Sequence, residues 1–171
     1  TRAVSQLRLS LRVRRGGLLS ALSGPTTVHL DIVDYPGEWL LDLPLLDQSF
    51  AEWSAAAIDL ARHPSRNGLA PEWLTLLANA AASARLDEAQ ATALARAFTD
   101  YLAASRKAGF SAIAPGRFLM PGDLLGSPAL TFAPLTPPPS PRSGSLWREF
   151  DRRFEAYKRV VVLPFFRNHF A

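Results

Sequence analysis

Leu7, Leu9, Leu11 and Val13 stand on one side of an extended chain, and Arg8, Ser10, Arg12 and Arg14 on the other. A period of two sustained this long predicts a half-buried strand. Breakers follow at Gly16-Gly17 and Ser23-Gly24-Pro25. Thr26 to Val33 then alternates again, with Val28, Leu30 and Ile32 sharing a face. Two consecutive strands with a short link predict an antiparallel hairpin. His29 and Asp31 fall on the arginine side, where Asp31 is expected to pair across the strands with an arginine. Two strands alone are marginally stable in water, so this hairpin needs neighbours.

After the second strand, Asp34-Tyr35-Pro36-Gly37-Glu38-Trp39 predicts an abrupt turn, and Leu40 to Leu46 an apolar loop that must lie against something. From Ser49 the period becomes helical. Ser49 and Glu52 form a capping box, and Phe50, Trp53, Ala57, Leu60 and Ala61 repeat at helical spacing until His63-Pro64. Pro71 opens a second helix through Trp73, Leu74 and Leu77. Asp87 opens a third, running to about Lys107 with Leu94, Phe98, Tyr101 and Leu102 inward and Gly109 as its stop. Phe110 to Leu135 loses periodicity. Leu135 to Gly144, with four prolines, predicts an extended, exposed spacer, an SH3-type ligand being the alternative. From Ser145 a last helix aligns Leu146, Trp147, Phe150, Phe154, Tyr157 and Val161, and Pro164 should kink or restart it. The four tryptophans read as core or inter-element anchors, with Trp39 the one placed to meet a partner. His63 and His169 read as helix-end residues.

Composition narrows the chemistry. The 171 residues contain no cysteine, which removes disulfide frameworks, thiolate metal sites and cysteine nucleophiles. Three widely spaced histidines make a histidine-based zinc site improbable. No apolar run is long enough to span a membrane, and no signal peptide opens the chain. The net charge of +4 is unevenly spread: residues 1–16 hold five arginines and no acid, residues 17–141 seven basic and twelve acidic groups, residues 142–171 seven basic and three acidic. That is not the profile of a uniformly basic nucleic-acid binder, and no nucleic-acid partner is expected. Without an initiator Met, the chain reads as a section of a longer protein.

One spacing carries chemistry. A strand that ends in Asp34 and is followed after two residues by Gly37 matches the third signature of P-loop nucleotide hydrolases. There the strand delivers a carboxylate that helps hold Mg²⁺, and the glycine lets its N–H approach the terminal phosphate. The alternative is an ordinary strand-to-loop turn in which the aspartate satisfies backbone N–H groups.

Several blocks resemble the YcjX-like family, stress-inducible Ras-like GTPases of Gram-negative bacteria. These are Asp31-Ile-Val-Asp-Tyr-Pro-Gly-Glu-Trp-Leu-Leu-Asp-Leu-Pro-Leu-Leu-Asp47, the opening Thr1-Arg-Ala-Val-Ser5, Pro115-Gly-Arg-Phe-Leu-Met-Pro-Gly122, Pro128-Ala-Leu-Thr-Phe-Ala-Pro-Leu135, and Leu146-Trp-Arg-Glu-Phe150 through Phe165-Phe166. The resemblance covers essentially the whole chain. It implies an α/β P-loop NTPase fold of Ras-like type with an all-helical insertion. Residues 1–48 would be part of the Ras-like core, with two strands and switch II. Residues 49–109 would be the insertion, 110–144 an irregular connection, and 145–171 a helix returning to the core.

Residue by residue, the resemblance makes Asp34 the Mg²⁺-linked carboxylate, Gly37 the γ-phosphate sensor and Thr1 a magnesium ligand at the nucleotide. Glu38 stands where Ras-like enzymes often carry glutamine, as the water-positioning group. Its negative charge near the γ-phosphate implies slow intrinsic turnover. GTP or GDP with Mg²⁺ would be the cofactors, switch II from Trp39 to Leu46 a protein-docking segment, and the cytoplasm the location. Arg117 is either an arginine acting on phosphate or a loop arginine bonded to carbonyls. Neither Gly-x-x-x-x-Gly-Lys-Ser/Thr nor Asn-Lys-x-Asp occurs, and the family would place them before Thr1 and after Ala171. The 171-residue piece alone is therefore expected to bind neither GTP nor ATP and to be inactive. The alternatives are a non-catalytic helical interaction module, or the same fold working on ATP.

Overall fold

A computed structural model describes residues 5–13, 26–34 and 37–167, with the side chain of Glu38 left aside. The chain divides into two compact units, 1–36 and 37–171.

The first unit is the expected hairpin. Strands β1 (Ser5–Val13) and β2 (Thr26–Asp34) pair antiparallel, with Leu7 opposite Ile32, Leu9 opposite Leu30 and Leu11 opposite Val28. Arg8 lies opposite Asp31 and holds it through two hydrogen bonds, at 2.5 and 2.9 Å. Asp31 is thereby held below the usual carboxylate range. Ser10 and the His29 ring are hydrogen-bonded beside it at 2.9 Å. The alternation and the cross-strand ion pair follow the sequence pattern. Burial does not. Leu7, Leu9, Leu11, Val13, Val28, Leu30 and Ile32 are 39–55% exposed, because a two-stranded sheet has no second layer of its own to cover an apolar face. The link between the strands lies outside the described residues.

The second unit is helical: α1 (Gly37–Asp42), a 3₁₀ turn at Leu43–Asp47, α2 (Phe50–Arg62), α3 (Pro71–Ala78), α4 (Glu88–Lys107), the short α5 (Gly116–Leu119), α6 (Leu146–Tyr157) and α7 (Leu163–Arg167). Local chemistry sets most of the boundaries. Ser49 accepts from the Glu52 N–H while the Glu52 carboxylate accepts from the Ser49 N–H, which closes the capping box. Pro71 occupies the first turn of α3. Asp87 caps α4 by accepting from the Ala89 N–H, and Gly109 follows its end at φ 88°, a conformation suited to glycine. At the end of α6 the backbone widens into a π-helical turn, Lys158–Val162, and α7 begins afresh at Leu163. Pro164 has no N–H, and in the first turn of a new helix that loss costs least.

One segment differs from its sequence reading. Gly37–Asp42 is helix and Leu43–Asp47 a 3₁₀ turn, where turn and apolar loop were expected. Part of the segment does lie against the core: Leu45 is buried, while Leu40 and Leu43 face outward. The proline-rich segment is irregular and largely exposed from Thr136 onward, but Leu135 at its head is buried.

Aromatic rings form the core. Trp53 of α2 stacks on Phe154 of α6 at 5.0 Å, Phe50 meets Trp147 at 4.7 Å, and Trp73 of α3 lies on Phe98 and Tyr101 of α4. Phe132, from the irregular connection, closes on Phe118 and Phe154. Three of the four tryptophans are therefore buried anchors. Buried Arg153 donates to the Thr131 carbonyl and to Glu88, fastening α6 to the connection and to the start of α4.

Candidate functional site

Strand β2 ends on Asp34, as expected, and Gly37, two residues further on, opens helix α1 instead of the expected turn. Asp34 lies opposite Ser5 on the face shared by Val28, Leu30 and Ile32, and it is exposed. No described side chain engages its carboxylate in an ion pair or hydrogen bond. A free, hard oxygen donor of this kind suits Mg²⁺, which keeps most of its waters and takes one or two carboxylates plus phosphate oxygens. Among the described residues no three His, Asp or Glu side chains gather into a metal cage.

A Cβ built on Gly37 meets nothing within 4 Å. Packing among the described residues therefore does not demand glycine there. Thr1, Tyr35 and Pro36 lie outside the described residues, as does the side chain of Glu38; Glu38 contributes only its backbone, in the first turn of α1. Asp34 belongs to the hairpin unit and Gly37 to the helical unit, and each is placed within its own unit.

The helix that follows Gly37 is firmly held, and sequence reasoning missed how. Asp42 at its end is fully buried. Its Oδ1 accepts from the Gly116 N–H at 2.6 Å and its Oδ2 from the Tyr157 hydroxyl at 2.5 Å. Burial pushes the Asp42 carboxyl up to about 6, although Tyr157, Gly116 and Arg117 all favour its charged form. Tyr157 is raised too, by burial and by the adjacent carboxylate. At the other end of α1, Trp39 stacks on Phe165 of α7, 3.9 Å apart and nearly parallel. The available sequence signal was a single acid, Asp42, inside the run Leu40-Leu41-Asp42-Leu43.

Arg117 resolves toward its carbonyl-bonded alternative: it donates to the Pro121 carbonyl at 2.8 Å and to Asp123 at 3.1 Å. Its guanidinium also lies over the Trp39 ring, 4.9 Å from the centroid. Beside α1, an apolar cavity of about 300 Å³ opens between Leu41, Pro44, Trp53, Leu60, Phe98 and Ile113. No charged side chain lines it; its polar lining side chains are Gln48, Tyr101 and Ser111. No described helix is long and apolar enough to cross a membrane.

The model of the YcjX-like family (DUF463) matches residues 1–171. A protein from Escherichia coli named Ras-like GTPase YcjX is 37% identical over 182 residues, an alignment that takes in 99% of this chain and 38% of that protein. A protein of the same name from Shewanella oneidensis is 35% identical over 181 residues, covering 100% of this chain and 37% of its own length. The chain thus spans less than two-fifths of the curated relatives it matches. On the match over its full length, the chain belongs to the YcjX-like family.

Proposed function

We propose that this chain is a section of a Mg²⁺-dependent, Ras-like GTPase, in which β1 and β2 are two strands of the nucleotide-binding sheet and α1 is the helix of switch II. The observation that carries the reading is the junction itself: an exposed carboxylate ending β2 with no partner among the described residues, then two residues, then a glycine opening a helix. The relatives' name and the uncovered apolar face of the hairpin both support it. Residues 49–109 form the helical insertion, 110–144 its connection and 145–171 the return toward the core. The enzyme works in the cytoplasm, and the outward Leu40 and Leu43 are the surface that switch II offers a protein partner.

In this reading Asp34 and Thr1 hold the metal. Mg²⁺ held there would supply positive charge against the charge that builds on the γ-phosphoryl group. Gly37 presents its N–H to the γ-phosphate, and Glu38 orients the water for in-line attack. Because Glu38 carries negative charge, turnover without a neutralising partner is slow.

The test is hydrolysis by the full-length protein, with GTP and ATP in competition. GTP hydrolysis that falls on Glu38→Ala supports the assignment. Unchanged turnover at saturating nucleotide removes Glu38 from the mechanism, and preferential ATP use makes the fold an ATPase. The 171-residue chain alone should bind neither nucleotide in calorimetry, because it has no phosphate-loop lysine or amide cradle. Measurable magnesium-dependent binding by that chain would contradict the division of labour.

A further inference from the structure

Helix α1 has six residues, too few to persist by its own hydrogen bonding, so its position is decided by what grips it. It is gripped at Asp42 by Tyr157 and by the Gly116 N–H of α5, and at Trp39 by Phe165 and the Arg117 guanidinium. Two of these residues straddle the π-helical turn: Tyr157 is the last residue of α6, and Phe165 lies in α7 beyond it. Such turns are frequent at functional sites.

A buried carboxylate is a costly way to seat a helix whose neighbouring positions are leucines, and it adds little net stability over an apolar replacement. What it adds is a defined position. Both oxygens are committed, to groups 74 and 115 residues away in sequence, so α1 cannot slide or turn without stranding a buried acceptor. Gly37 lies five residues before Asp42 in the same helix, about 7.5 Å along its axis.

We propose that Asp42 and Tyr157 are positioning residues for the hydrolytic reaction: they fix α1, and with it Gly37, so that the end of α6 governs turnover. The inference rests on the reading of Gly37 as a phosphate-contacting residue. Neither side chain touches nucleotide.

The experiment uses the full-length protein with Tyr157→Phe and, separately, Asp42→Asn. The first removes the donor and keeps the ring. The second sets an amide NH₂ against one of two donors, Gly116 N–H or Tyr157 O–H. Each folded variant should lose on the order of tenfold in kcat for GTP while KM and GDP affinity stay within about twofold of wild type. Either variant suffices if the other fails to fold. A folded variant with wild-type kcat overturns the proposal. So does a loss of kcat that disappears on cooling the assay well below the variant's melting temperature, since that marks a purely structural bond. If the wild type neither binds nor hydrolyses GTP, the GTPase reading fails and this inference falls with it. If the wild type is active and both variants match it, only this inference falls.

Discussion

The hairpin and the helical unit answer the same demand, hiding apolar surface, in opposite ways. The helical unit buries its aromatic rings against one another, with Phe50, Trp73, Phe98, Phe132, Phe150 and Phe154 at 1% exposure or less. The hairpin presents an equally regular apolar row and leaves it 39–55% exposed. Its polar face carries two cross-strand pairs, Arg8 on Asp31 and Ser10 on His29. An apolar row with no covering layer among the described residues leaves the hairpin in need of a neighbour. The helical unit is finished by its own residues.

If that contrast holds, the largest effect belongs to the helical core. Phe154→Ala removes a fully buried ring that meets Phe50, Trp53 and Phe132, and should cost about 3–5 kcal/mol in urea unfolding of the 171-residue chain. A loss below 1 kcal/mol, on the order expected for an exposed site, would break the comparison from the helical side.

Next comes the pH dependence of Asp42. Its carboxyl titrates at about 6 in the folded chain against an ordinary value of 3.8, so between these the folded state holds a proton that the unfolded state has released. Stability contributed by this group therefore falls as pH rises from about 4 to about 6 and levels off above, by at most about 3 kcal/mol. The lowered carboxyls of Asp31 and Glu52 run the other way, but they are shared with an Asp42→Asn variant and cancel in the difference. Wild type minus variant, measured across that range, should show the fall. A flat difference would mean the carboxyl is not desolvated.

Ser49→Ala should cost about 1 kcal/mol by opening the capping box of α2, seen as a lower melting temperature. The smallest effect separates the two regions most clearly. Leu9→Ser should change the stability of the 171-residue chain by no more than about 0.5 kcal/mol, because the side chain is already wet. In the full-length protein the same substitution should be destabilising, and a neutral result there would mean that nothing covers this face.

What could be read from the sequence divides along similar lines. The alternation of the hairpin, the capping box at Ser49, the Asp87 cap and the Gly109 stop rest on contacts between close neighbours or on a period of two, and all were legible. The restart at Pro164 was legible because proline lacks a donor. Helix α1 was not, because Tyr35-Pro36-Gly37 looks like a turn and what holds the helix comes from Gly116, Tyr157 and Phe165, far along the chain. For the candidate site, the strand end at Asp34 and the spacing to Gly37 were legible, but not that Gly37 opens a helix. The part played by Asp42 was hidden, since nothing near it in sequence distinguishes a buried, doubly bonded carboxylate from a solvated one.

The most direct measurement is Mg²⁺-dependent GTP affinity of the full-length protein with Asp34→Asn. The substitution keeps shape and exposure but removes the charge that ends β2. The account predicts markedly weaker magnesium-dependent binding with the fold intact. Affinity equal to wild type at every magnesium concentration would show that this carboxylate faces no metal, and the GTPase assignment of the junction would be wrong.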